Sequence, residues 1–311
     1  MTLLQEVVLI DGLSRTGKSV LSPIIGVFEE VEQVQFFNYL EHVIPGVYLN
    51  QVDWNFAKFS ISKLINEKIY DTSIGRNINF RDGDQTSVVN HRLYETYRAR
   101  QKFKEGLEAI NSLHTSSGIL PIQVHDILTN GAILNSLDFG IKIIEMLRHP
   151  IEVVDSWYRK GWGTRFLTDS QSFTLLTKTE FGTVPWFAYH EPELYLQASP
   201  MDRCVMNVTY LYDKLFNEYY QYPKKLVLPV SFDNLMVNPE KCIDQISDFL
   251  RKAKIKDYAK ALKIANLPRQ LDLKNREMKS AIISSLCSRD NFERLQKCTN
   301  SFKAFLSSLN L

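Results

Sequence analysis

Residues 7–20, Val-Val-Leu-Ile-Asp-Gly-Leu-Ser-Arg-Thr-Gly-Lys-Ser-Val, constrain this chain more than any other stretch. Four consecutive apolar residues, three of them β-prone, run into a turn bracketed by Gly12 and Gly17, and an apolar helical pattern follows from Val20. The spacing Gly-x-x-x-x-Gly-Lys-Ser belongs to a phosphate-binding loop. Its glycines let successive backbone N–H groups converge on an anion, while the helix that follows aims its N-terminal dipole at the same point. A buried strand feeding such a loop fits only a layered α/β architecture, with ligands at the carboxyl ends of the strands. The loop leaves open which phosphorylated compound it holds, because the same backbone geometry serves many.

Three further apolar runs, Ile119 to Val124, Ile141 to Leu147 and Leu226 to Val230, are short, continuous and bounded by polar or turn residues, as buried parallel strands are. With helical patterns between them they predict a three-layer α/β fold with a mostly parallel central sheet flanked by helices. Gly12, His125 and Arg148 fall at the ends of three of these strands and so on one edge. Residues 34–117 read as an insert forming a cap on the acceptor side, helical at Phe56 to Ile69 and Leu93 to Leu113, with a Gly/Asp-rich turn region from Thr72 to Gln85. Pro239 to Arg251 carries one helical face, and amphipathic helices fill residues 256–311. One domain spanning residues 1–311 is the simplest organisation.

Composition narrows the function classes. Thirty-seven basic against thirty-five acidic residues give a net charge of +2, which is no electrostatic footprint for nucleic acid or an anionic membrane. No apolar run approaches the length of a membrane span. Cys204, Cys242, Cys287 and Cys298 lack zinc-ligand spacing and read as free thiols, which together with a strand starting close to Met1 points to a cytoplasmic protein.

A second anion element follows the third long strand. Arg148-His149-Pro150 ends the strand, Pro150 opens a helix, and Ser156 stands eight residues past the arginine. Proline suits the first helical position, and a guanidinium at a strand end offers a planar fork of donors to phosphate oxygens. Taken alone, a surface arginine and a helix-face serine explain it as well.

Taken with the loop, this element resembles the hallmark pair of sulfotransferases that use 3′-phosphoadenosine 5′-phosphosulfate: a 5′-phosphosulfate loop and a strand-Arg-x-Pro-helix-Ser segment for the 3′-phosphate. Gln123-Val-His125-Asp126 matches where cytosolic members carry a catalytic histidine, and Leu226 to Glu240 with Asp248-Phe-Leu250 matches a later family segment. The resemblance implies that Gly12, Ser14, Arg15, Thr16, Gly17, Lys18, Ser19 and Val20 hold the 5′-phosphosulfate, with Arg15 and Lys18 acting in the transfer. Arg148 and Ser156 are implied for the 3′-phosphate, and His125 as base toward a hydroxyl or amine acceptor, a small molecule or glycan. Fixed cations and backbone donors suffice for sulfuryl transfer, so no metal is expected.

Two features depart from the family pattern. Lys18 stands where members usually place threonine or serine, and it completes a nucleoside-triphosphate loop, which keeps open an ATP- and magnesium-dependent small-molecule kinase with Asp126 or Asp233 at the metal. A nucleotide-binding protein without turnover is the third reading. There is also no Arg-Lys-Gly stretch near the C-terminus; Lys274, Arg276 and Lys279 are the candidates to replace it. Arg159, Lys160 and Arg165 read either as solvated charge or as a basic loop over the site. The aromatic-rich stretch from Trp157 to Tyr222, with Trp162, Phe166, Phe181, Trp186, Phe187, Tyr189 and Tyr195, contains pocket candidates amid packing residues. Oligomeric state is not legible.

Overall fold

The apolar strand that opens the chain is buried on both faces, and everything else is arranged around it. The computed structural model describes residues 6–103, 106 and 118–311. In chain order the strands are β1 (Glu6–Asp11), β2 (Gln35–Phe36), β3 (Ile119–Gln123), β4 (Lys142–Leu147), β5 (Leu176–Lys178), β6 (Thr183–Pro185) and β7 (Val227–Ser231). Five of them form one sheet in the order β2-β3-β1-β4-β7, with every neighbouring pair parallel. The chain leaves β1 toward β2 and β3 on one side and later builds β4 and β7 on the other, so β1 is the topological switch point where α/β sheets bind ligands.

Alternation along β1 divides the core. Val7 and Leu9 pack into one apolar cluster with Leu120, Ile122 and Ile143, whereas Val8 and Ile10 pack into a second with Ile119, Ile144 and Met146. A strand whose two faces both meet helices reads as an unbroken apolar run, which is why it is conspicuous in the sequence. The helix Lys18–Ile25 covers the second face with Pro239–Leu250, and the long helix Pro200–Gln221 covers the first.

The four long strands lie where the apolar runs place them, shifted by a residue at some ends. The segment 34–117 supplies β2 to the sheet edge, and the helices Asn38–Tyr48 and Trp54–Ser73 bury Leu40, Val43, Ile44, Ala57, Ile61, Ile65 and Ile69 in the main core. It is therefore part of the layered body as well as a wall of the cleft described below. Of the helix expected from Leu93 to Leu113, Tyr94–Arg100 is helical; residues 104–105 and 107–113 lie outside the described residues. The hairpin β5–β6 carries no prior sequence signal, being three residues a strand inside the aromatic stretch.

At the C-terminus, Leu273–Leu286 and Arg289–Ser308 are helices. Ser199 and Ser288 each cap a helix N-terminus, and the Asp202 carboxylate accepts from Ser288 N–H (2.8 Å), Ser288 Oγ (2.9 Å) and Asn291 Nδ2 (2.9 Å), fastening the last helix to Pro200–Gln221. Phe302 then packs edge-on against Tyr212 and His149. The four cysteines are free thiols, and among the described residues no helix is long and apolar enough to cross a membrane.

Candidate functional site

The loop after β1 adopts the backbone its glycines permit. Gly12 and Gly17 have φ of +128° and +107°, and Arg15 between them is also left-handed at +73°. Neither glycine tolerates a side chain: a Cβ on Gly12 would lie 2.5 Å from Met146 O, and one on Gly17 2.3 Å from the Phe232 ring. β4 and the start of the helix Phe232–Val237 that follows β7 thus press directly on the loop. The amides of Gly17, Lys18 and Ser19 find no acceptor among the described residues, and Ser19 stands exposed on the first helical turn. Free amides at a helix N-terminus are the donor set an anion requires.

Not every loop residue faces outward. Thr16 Oγ1 donates to Leu13 O at 2.7 Å and is fully buried, and the Val20 amide is taken by Gly17 O at 2.9 Å. In place of the phosphate contact expected of it, the Lys18 ammonium turns beneath the loop and donates to Gly12 O and, at 2.8 Å, to Leu13 O. Burial lowers its pKa against the raising influence of Asp126, Asp11 and Glu145. Three carboxyls thus lie in the field of this ammonium. Asp11 and Glu145 are register partners on β1 and β4, both buried, and Asp11 accepts from the amides of Ile127 (3.1 Å) and Leu128 (2.6 Å). Burial and the neighbouring Asp11 hold the Glu145 carboxyl well above the usual carboxylate range, and burial does the same to Asp126. Lys18 is the cation set against this acidic group.

The Arg-x-Pro-helix element meets the loop side to side. Arg148 Nη1 donates to Arg15 O at 3.0 Å, Arg15 Nε donates to Ser156 Oγ at 3.0 Å, and Trp157 Nε1 donates to Ser14 O at 2.9 Å. Three contacts across more than 130 residues of sequence make one surface from the two predicted elements. Arg148 also stacks on Phe232, its Cζ 4.5 Å from the ring centroid, pairs with Glu152 at 3.2 Å, and keeps a buried Nε without a partner. Tyr212, buried, donates its hydroxyl to Arg148 O and fixes the strand end from below.

Of the three C-terminal basic candidates, two arrive. Pro150–Arg159 packs against Leu273–Leu286, which brings Lys279 Nζ 2.7 Å and Arg276 Nε 3.6 Å from the Glu152 carboxylate; Arg276 also holds Asp233 at 2.8 Å. Lys274 is exposed. Asp233 is thereby engaged by an arginine. Arg159 pairs with Asp155 and is largely exposed, Lys160 is exposed, and Arg165 lies at the cleft, paired with Asp169.

On the other side of the loop a cavity of about 400 Å³ opens. Its lining includes the polar side chains of Ser14, Asn38, Glu41, Gln123, His125 and Asp126 and an aromatic wall of Trp157, Trp162, Phe166, Trp186 and Phe187. The wall is a continuous aromatic packing: Trp157–Trp162 at 5.2 Å, Phe166–Phe187 at 5.4 Å and Trp186–Phe187 at 5.5 Å between centroids. Tyr195 instead belongs to a small separate core, and Phe181 and Tyr189 are exposed. His125, half-exposed, bonds through Nδ1 to Glu41 Oε1 at 2.9 Å. Glu41 has no sequence signal of its own. It is one acidic residue on a helix whose Leu40, Val43 and Ile44 mark it as core, and only the pairing of β2 with β3 brings it to His125.

A loop of phosphate-binding pattern at the switch point of a parallel sheet, an arginine-serine element fused to it and an aromatic cavity alongside thus share one edge of the sheet. The family model of the sulfotransferase domain matches residues 5–303, and the chain belongs to that family; it is a transferase enzyme. No curated protein sequence matches it. Among solved structures it is similar to the sulfotransferase domain of the Synechococcus PCC 7002 olefin synthase (11% identity, 97% of this chain and 96% of that one, TM-score 0.45). It is likewise similar to the sulfotransferase domain of the curacin biosynthetic pathway (12%, 86% and 79%, 0.44) and to the sulfotransferase from Alicyclobacillus acidocaldarius (11%, 95% and 96%, 0.39).

Proposed function

We infer that the protein moves a sulfuryl group from 3′-phosphoadenosine 5′-phosphosulfate to a hydroxyl of an acceptor held in the aromatic cavity. The observation that carries this reading is the fusion of the two anion elements, Arg15 Nε to Ser156 Oγ and Arg148 Nη1 to Arg15 O, which suits one ligand with phosphates at both ends of a nucleoside. The residues fit that ligand. Gly12 and Gly17 leave a cradle that a Cβ would fill, the amides of Gly17, Lys18 and Ser19 are free within the described residues, and Arg148 Nε is an orphaned buried donor.

In this assignment the loop amides, Ser19 and Arg15 hold the 5′-phosphosulfate, and Arg148 and Ser156 the 3′-phosphate, with Arg276 and Lys279 adding positive charge behind Glu152. His125 takes the acceptor proton as the acceptor oxygen bonds to sulfur. The loop amides and Arg15 stabilise the electron pair left on the 5′-phosphate oxygen when its bond to sulfur breaks. Aromatic walls favour an acceptor with a flat or apolar body over a highly hydrated one. The free thiols suit a reducing, cytoplasmic setting. The kinase alternative rested on Lys18, whose ammonium is instead committed to loop carbonyls.

Calorimetric titration with adenosine 3′,5′-bisphosphate and with ATP, each with and without Mg²⁺, tests the reading. Magnesium-independent binding of the bisphosphate, tighter than that of ATP, is the expected result. Preference for Mg-ATP would overturn it.

A further inference from the structure

We propose that Glu41 is a positioning residue for His125: it accepts the Nδ1 proton, fixes the imidazole in one tautomer and leaves Nε2 as the bare nitrogen that receives the acceptor proton. The inference rests on the base assigned to His125 above and deepens it. The geometry has three parts. Glu41 Oε1 lies 2.9 Å from Nδ1, while Nε2 has no partner among the described residues. Both side chains line the same cavity, together with the polar side chains of Ser14, Asn38, Gln123 and Asp126. The fold also fixes the pair: Phe36 of β2 and Gln123 of β3 are register partners, so parallel strands leave the sheet edge together, and His125 lies two residues beyond one and Glu41 one helical turn beyond the other.

Contacts on the same helix hold Glu41 in place. Tyr39 Oη donates to Ser60 Oγ at 2.6 Å, and His42 Nε2 lies 2.7 Å from Phe173 O. A neutral imidazole carries one proton, and the partner of one ring nitrogen decides which nitrogen that is. As the acceptor oxygen bonds to sulfur, its proton passes to Nε2, and the imidazolium charge that results faces the Glu41 carboxylate across Nδ1–H. The hydrogen bond, already charged on the Glu41 side, therefore becomes charged on both sides as transfer proceeds.

The first readout needs no turnover. In full-length protein labelled with ¹⁵N-histidine, long-range ¹H–¹⁵N spectra at alkaline pH should show His125, identified by its loss in His125→Ala, as the Nδ1–H tautomer. In Glu41→Ala that signature should disappear. The second readout is a cycle of Glu41→Ala and His125→Ala, using 2-naphthol as the test acceptor and release of adenosine 3′,5′-bisphosphate as the signal. Glu41→Ala should lower kcat by about 10- to 100-fold with bisphosphate affinity within twofold, and should have no further effect when His125 is already alanine. An Nε2–H tautomer in the wild-type protein, or equal losses in both backgrounds, would overturn the proposal. Failure of the wild-type protein to bind the bisphosphate would instead defeat the sulfotransferase reading, and the tautomer would still decide the role of Glu41.

Discussion

Replacing Arg148 by lysine separates its two roles, because lysine keeps the charge but loses the planar fork and the stack. Arg148 gives Nη1 to Arg15 O at 3.0 Å and Nη2 to Glu152 at 3.2 Å, and it lies over Phe232 at 4.5 Å. Glu152 keeps Lys279 at 2.7 Å after the change, so no buried carboxylate is stranded. The cost to the fold should be about 1–2 kcal/mol, one internal hydrogen bond and part of a cation–π contact. Ligand binding should lose more. A charge-assisted bond to the 3′-phosphate contributes roughly 1.5–3 kcal/mol, so adenosine 3′,5′-bisphosphate should bind about 10- to 150-fold more weakly. Adenosine 5′-monophosphate, which lacks that phosphate, should lose no more than about threefold, through the loosened Arg15 carbonyl. Calorimetric titration of both nucleotides at one ionic strength measures the difference, and a urea midpoint verifies the fold. Equal losses for the two ligands would refute the reasoning, since Arg148 would then act only by shaping the loop.

Gly17→Ala should destabilise by at least about 2 kcal/mol, from the left-handed φ and the contact with Phe232, and should abolish bisphosphate binding; an unchanged urea midpoint would contradict the close approach seen here. Trp157→Phe keeps an aromatic wall but removes the donor to Ser14 O, so stability should fall by about 1–2 kcal/mol and bisphosphate affinity with it, measured by the same two methods. Burial, and then the charge of Arg276, depress the His149 pKa to about 4. The unfolded chain, titrating near 6.5, therefore binds more protons between the two values, and His149 destabilises the fold progressively as pH falls from about 6.5 toward 4. Its contribution at pH 4.5 is on the order of 2–3 kcal/mol relative to neutral pH, so stability measured against pH should fall less steeply in His149→Asn than in the wild-type protein. Parallel curves would show that His149 is not held neutral.

The legible part of this protein is the part governed by short-range rules. β1, β3, β4 and β7 are apolar because both their faces are covered, so burial is written directly into composition. The loop is visible because only glycine accommodates φ of +128° at Gly12 and +107° at Gly17. Pro150 marks the start of a helix and places Arg148 at a strand end. β2 was missed because two residues, one half-buried and one exposed, leave no periodicity, and its place in the sheet comes from pairing with Ile122 and Gln123. The β5–β6 hairpin was missed for the same reason.

The site divides along that line. The sequence determined that this chain has a phosphate loop, an arginine-serine element and a strand-end histidine, since each depends on residues within about ten positions of one another. Which way each side chain points was decided by tertiary structure. Lys18 completes a nucleotide motif on paper, yet its ammonium lies under the loop on Gly12 O and Leu13 O, in the field of Asp11, Asp126 and Glu145, two of which lie more than a hundred residues away. Arg276 and Lys279 reach Glu152 beside Arg148, and Lys274 does not, because one face of their helix packs on Pro150–Arg159. Glu41 reaches His125 only because β2 and β3 are parallel neighbours that leave the sheet at the same edge. Local patterns fix backbone shape, whereas charge and hydrogen-bond partners are shared out by packing among segments that sequence spacing does not relate.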